Sequence, residues 1–109
     1  MRKSRERVVV TGMGAMTPIG NTVETFWNSL VQGKSGIGPI TLADASPFPC
    51  RIAGEVTDFD PSNYMDPKEA KRMARFSQLS VAAAAKALED AGFDTFQSDQ
   101  DRIGVVMGN

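Results

Sequence analysis

The run Val8-Val9-Val10-Thr11-Gly12-Met13-Gly14-Ala15-Met16-Thr17-Pro18-Ile19-Gly20-Asn21 governs how the rest of the chain is read. Its first four residues are all β-branched, with no alternation of polar and apolar positions, and a glycine closes them. That pattern predicts a strand covered on both faces and running into a turn. Gly12 and Gly14 are read as giving a tight strand-to-loop turn its backbone freedom. The same two glycines invite a dinucleotide-binding reading. That fingerprint wants a third glycine where Thr17 stands and a helix starting inside the motif, whereas Pro18 holds the loop open. Nucleotide binding is therefore disfavoured.

Downstream, Asn21 is expected to cap a helix, with Glu24 completing a capping-box pair. Val23, Phe26, Trp27, Leu30 and Val31 recur at helical spacing, and Gly33 is placed to end the helix at C′. Residues 34–64 carry weaker signals. Gly36-Ile37-Gly38-Pro39 reads as loop, Arg51–Val56 as a short edge strand, and Asp60-Pro61-Ser62-Asn63 as a turn. Asp66-Pro67-Lys68-Glu69 has the cap, proline and acid of a helix start. The helical pattern then runs to Ala91 with Gly92 as its stop, and Arg72–Arg75 mark either a kink or a break between two helices. Phe76, Leu79, Ser80, Ala83, Ala84, Ala87, Leu88 and Ala91 form a face built largely of small residues, which permits a close neighbour. Ile103-Gly104-Val105-Val106-Met107-Gly108 repeats the buried-strand pattern, and Asn109 stands where a strand should hand over to a loop.

The expected class is α/β, in the order β–α–irregular insert–α–β. The two strands are expected to lie parallel, with a right-handed crossover. Two strands cannot supply the cover that both demand, so residues 1–109 read as part of a larger domain.

Composition narrows the chemistry. With 41% hydrophobic and 23% charged residues among 109, disorder over the whole length is not expected. A net charge of −1 gives no global attraction to nucleic acid or to an anionic membrane. The apolar run after the basic start Met1–Arg7 is too short for a secretory signal, so a cytoplasmic location is expected. One cysteine precludes an internal disulfide. The absence of histidine is the sharpest restriction, because it removes the usual general base and the usual partner of a nucleophilic cysteine. Cys50 is accordingly read as a small apolar filler. Asp58, Asp60 and Asp66 belong to turns and caps, which argues against a metal site.

The remaining candidates are Lys68, Lys71, Arg72 and Arg75. On one continuous helix they fall at i, i+3, i+4 and i+7 and make a basic stripe. Such a stripe is either a solvated face or a docking patch for an acidic partner. The macrodipole opposes cations in a helix's first two turns, which hints at another use for them.

The segment Val8–Asn21 resembles the opening motif of the elongating β-ketoacyl-(acyl carrier protein) synthases. Five later segments match in order and spacing: Phe26-Trp27…Leu30…Gly33-Lys34-Ser35-Gly36-Ile37, Arg51–Val56, Lys68–Met73, Ala87–Gly92 and Asp101–Val105. Synthase II of bacterial fatty-acid synthesis is the type most resembled. The resemblance implies the N-terminal part of a thiolase-like fold and a homodimer. It also implies acyl transfer to a cysteine, followed by decarboxylative condensation with malonyl-carrier protein and no cofactor. The family's catalytic cysteine, its two histidines and its supporting lysine map onto nothing in this chain, and Cys50 inherits no role. This segment alone is therefore expected to be inactive. One feature does carry over: Lys68, Lys71 and Arg72 fall at positions where the family docks acyl carrier protein, and Arg75 extends that stripe less securely. A non-catalytic carrier-protein-binding or structural module is the alternative.

Overall fold

The computed structural model describes residues 5–108; the basic start Met1–Ser4 and Asn109 lie outside them. The organising contact is between the N-terminal segment and a long helix, α3 (Arg75–Ala91). A Cβ added at Gly12 would stand 2.6 Å from Ala91 N and would collide with Ala87 O. One added at Gly14 would collide with Ala83 O and stand 2.8 Å from Ala87 N. The loop backbone therefore rests directly on the alanine face of α3, where methyl groups let the helix come this near. Asp90 Oδ2 ties the two together by accepting from Met13 N at 2.9 Å.

This changes the role of the two glycines. Neither has a positive φ; among the described residues only Gly33 (φ 67°) and Gly92 (φ 60°) do. Gly12 and Gly14 are needed for close approach rather than for a turn. Gly33 and Gly92 instead follow the last turns of α1 (Val23–Val31) and α3, where the left-handed conformation suits glycine.

Helix α1 forms where its apolar spacing placed it, with its start moved by one residue. Thr22, not Asn21, is the N-cap, and Thr25 takes the reciprocal position expected of Glu24. Both threonine hydroxyls lie within a turn of the free amides, and Thr22 Oγ1 accepts from Thr25 N at 3.0 Å. Asn21 points back to the insert, where its Nδ2 donates to Asp58 O. Ser29, the buried polar residue of α1, donates to Ile19 O at 2.7 Å and fixes the preceding loop against the helix.

The insert holds the sheet of the described residues. β1 (Ile37–Pro39) and β2 (Ile52–Gly54) pair antiparallel, with Ile37 opposite Gly54 and Pro39 opposite Ile52. β2 lies within the expected strand 51–56, whereas β1 replaces an expected loop. Pro39, last in its strand, sits where the missing N–H does least harm. Glu55 closes the ribbon's end: its carboxylate accepts from the Thr41 and Leu42 amides at 3.0 Å and from Thr41 Oγ1 at 2.8 Å. Cys50 is exposed, with Sγ 3.5 Å from Ile52 O, so the apolar-filler reading does not hold.

The expected parallel pair is not formed. Residues 8–12 and 103–108 belong to no helix and lie outside the two-stranded sheet. Val8 is 96% exposed and Val106 96%. Both are apolar runs that need sheet neighbours and cover, and this chain provides neither. The chain accordingly exposes 9356 Å², against about 5,900 Å² expected of a folded monomer of its mass. Its radius of gyration is 17.8 Å, against about 13 Å for a compact domain of this length. Among the described residues the buried apolar positions are held by alanines, Ala70 and Ala82, rather than by large side chains.

Two predictions follow from these contacts. In the complete protein carrying this segment, Gly14→Ala is expected to lower unfolding stability by about 1–3 kcal/mol, because the colliding atoms are helix backbone. Gly38→Ala, whose added Cβ meets nothing within 4 Å, is the control in the same urea titration. The Leu42 amide first, and then the Thr41 hydroxyl, hold the Glu55 carboxyl below its ordinary 4.5. A depressed carboxyl stabilises above its unfolded value and loses that contribution as pH falls through the folded one. Acidification from pH 7 to below 4.5 should therefore lower the hydrogen-exchange protection factors of Thr41 and Leu42, each referred to the intrinsic rate at that pH, as Glu55→Gln should at pH 7.

Candidate functional site

The basic residues stand on a helix break rather than on one helix. Asp66 caps α2 (Pro67–Ala70), accepting from Lys68 N at 2.8 Å and Glu69 N at 3.4 Å. Pro67 occupies the first helical position, where no N–H is needed. After four residues the chain leaves the helix. Arg72 N and Met73 N donate back to Glu69 O and Ala70 O in a turn, and Ala74 is extended at φ −65° and ψ 153°. Helix α3 then begins at Arg75 without a side-chain cap.

No glycine or proline stands between Lys71 and Ala74, so local propensity does not make this break. A side chain from the next helix holds it: Gln78 Nε2 donates to Ala70 O at 2.8 Å and approaches Met73 O at 3.5 Å. The Ala70 carbonyl, which also accepts from Met73 N, thus gains a second donor at the end of α2. Ala70, buried beneath, anchors the short helix from the other side.

The break divides the expected stripe. Lys68, Lys71 and Arg72 cluster on α2 and its turn, all exposed. Lys71 and Arg72 follow the C-terminal end of α2, where the carbonyl ends favour cations, and they precede the free amides of α3. The first turn of α3 carries no acid to neutralise these charges. Arg75 does not extend the group. Its guanidinium turns away, donating to Val56 O and lying 4.9 Å above the Phe59 ring.

Phe59 in turn stacks on Tyr64 at 5.8 Å between centroids and 16° between planes. Lys86 Nζ lies 5.7 Å from the Tyr64 ring centre. Arg75 and Lys86 are eleven residues apart, three turns of α3, and so share a face. Sequence reading passed over Phe59, Tyr64, Gln78 and Lys86. The signal for Phe59, Tyr64 and Lys86 was two aromatic residues bracketing the Asp60-Pro61 turn and two cations, Arg75 and Lys86, at helical spacing; nothing in the sequence marked Gln78.

The remaining candidates gather no reactive set. A cavity of about 370 Å³ lies between the Thr17–Thr25 region and residues 56–58. It is lined by threonines, Pro18, Gly20, Asn21, Val56 and Asp58, and Asn21 Oδ1 is buried there without a protein partner. Among the described residues, no three histidine, cysteine or acidic side chains converge on a point suited to a metal ion. No helix is long and apolar enough to cross a membrane among the described residues.

Residues 5–109 match the family model described as "Beta-ketoacyl synthase, N-terminal domain". The chain belongs to the β-ketoacyl synthases. This ketosynthase segment is 51% identical over 104 residues to 3-oxoacyl-[acyl-carrier-protein] synthase 2 of Synechocystis sp., and 46% identical over 106 residues to that of Vibrio harveyi. Those matches take in 95% and 97% of the segment but 25% and 26% of the relatives, so it spans about a quarter of their length. Among solved structures, the ishigamide ketosynthase/chain length factor superposes with a TM-score of 0.77 at 40% identity. That superposition covers 85% of this chain and 23% of the other. A type II polyketide ketosynthase, AntDE, solved with its acyl-carrier protein AntF, gives 0.69 at 28% identity over 90% of this chain and 24% of that one. The ketosynthase match and the helices and strands described agree with the α/β class read from the sequence.

If the Gln78 amide holds the break, Gln78→Leu in the complete ketosynthase should lower stability by about 1 kcal/mol, because Ala70 O then keeps only the Met73 amide as donor. Urea unfolding measures the loss, and an unchanged midpoint would remove Gln78 from this role.

Proposed function

We propose that this segment is the N-terminal part of a 3-oxoacyl-(acyl carrier protein) synthase of the synthase II kind, and that its own contribution is scaffold plus a carrier-protein docking turn. The observation that carries the docking reading is the trio Lys68, Lys71 and Arg72, exposed together at a helix break with no acid in the following first turn. An acidic carrier protein is the complementary partner, since clustered surface charge steers encounter and sets register. A solved relative bound to its acyl-carrier protein supports this choice of partner.

In the complete protein, a cysteine outside this segment takes the acyl chain from carrier-protein thioester, breaking one C–S bond and forming another. Malonyl-carrier protein then loses carbon dioxide, and the carbanion left behind attacks the acyl carbonyl. A carbon–carbon bond forms and the cysteine thiolate leaves. This segment alone is inactive, since it has no histidine and its one cysteine lies exposed in the insert, away from the docking turn. The same reading carries a homodimer, a cytoplasmic location and no consumed cofactor.

The double substitution Lys71→Glu with Arg72→Glu in the complete synthase should raise KM for acyl-carrier protein about tenfold or more. Turnover of a small acyl thioester should change little. Equal loss with both substrates would overturn the docking reading.

A further inference from the structure

Arg75 bears the same charge as its three neighbours but is held in a different way. Its head is bonded to the carbonyl of Val56 and laid over Phe59, at the first residue of α3. Phe59 stacks on Tyr64, and Lys86 closes the row from the same helix. Arg75 and Lys86 stand three turns apart on α3, so the row fastens the insert to that helix at both ends. The α2 turn lies between these attachments. Tyr64 follows the 3-10 turn Pro61–Asn63 just before α2, and Arg75 follows the break just after it.

We propose that Arg75 is a positioning residue: through Phe59, Tyr64 and Lys86 it fixes the direction in which the Lys68–Arg72 turn presents its cations, and it does not itself dock the partner. This rests on the docking reading of that turn. The chemistry favours arginine for the task, since a flat guanidinium stacks on a ring while donating in its own plane, and an ammonium does not. Asp60, next in the chain to Phe59, is occupied otherwise: its carboxylate accepts from Ser62 N and Ser62 Oγ.

The test uses the complete synthase with Arg75→Gln, Arg75→Lys, Phe59→Leu, Phe59→Tyr and the double change Arg75→Gln with Phe59→Leu. Arg75→Gln and Phe59→Leu should each raise KM for acyl-carrier protein about two- to fivefold. The kcat with a small acyl thioester should stay at the wild-type value. The double variant should lose no more than the larger single, in KM and in melting temperature alike. Arg75→Lys, which keeps the charge, should behave as Arg75→Gln does, and Phe59→Tyr as wild type. The salt dependence of the carrier-protein KM should be unchanged by Arg75→Gln but flattened by Lys71→Glu. A wild-type KM in Arg75→Lys, or a flattened salt dependence in Arg75→Gln, would make Arg75 a docking cation and overturn the proposal. Additive effects of Arg75 and Phe59 would overturn it as well. Should Lys71→Glu with Arg72→Glu leave the carrier-protein KM unmoved, the docking reading fails, while coupling in the melting temperatures still decides the row itself.

Discussion

The seating of Gly12 and Gly14 on the alanines of α3 is the contact on which the rest of the chain depends. It brings residues at opposite ends of the sequence within van der Waals range and leaves no room for a side chain between them. Asp90 then fixes the register by accepting from Met13. Because the loop from Thr17 to Gly20 is pinned to α1 by Ser29, the position of α1 is set by the same contact. The insert follows, since Asn21 reaches from the start of α1 to the Asp58 carbonyl. A small-residue face on α3 and glycines on the N-terminal segment are thus what join α1 to α3.

A second layer of contacts is polar and aromatic, and it shapes the basic turn. Gln78 holds the end of α2, and Arg75, Phe59, Tyr64 and Lys86 attach the insert to α3. Between them the chain departs from the helix for four residues with no helix breaker in its sequence. The cost is an uncapped start to α3 at Ala74. The result is that Lys68, Lys71 and Arg72 stay exposed on α2 and its turn while Arg75 is drawn to Val56 and Phe59.

The large apolar side chains are arranged for neighbours outside these residues. Val8, Val105 and Val106 lie outside helix and sheet, and Trp27 on α1 is 63% exposed. Continuous β-branched runs satisfy their backbone groups and their side chains only inside a sheet covered on both sides. Here the ladders are not formed among the described residues. That matches a segment covering about a quarter of its relatives' length.

Much of this was legible in the sequence. Asp66-Pro67 and Gly92 fixed where the helical region starts and stops, the apolar spacing located α1, and in-register motifs from Val8 to Val105 identified the family. These are local signals, written in caps, spacing and residue order, and they need no partner to be read. The tertiary structure decided the rest. It turned the glycines from turn formers into contact points, made β1 from a stretch that reads as loop, and cut the basic stripe between Arg72 and Arg75. It also left two apolar runs unpaired, because a strand exists only where another backbone lies beside it. Val8–Asn21 was read correctly as the opening of a ketosynthase. Whether its first residues became a strand depended on neighbours their own sequence does not contain.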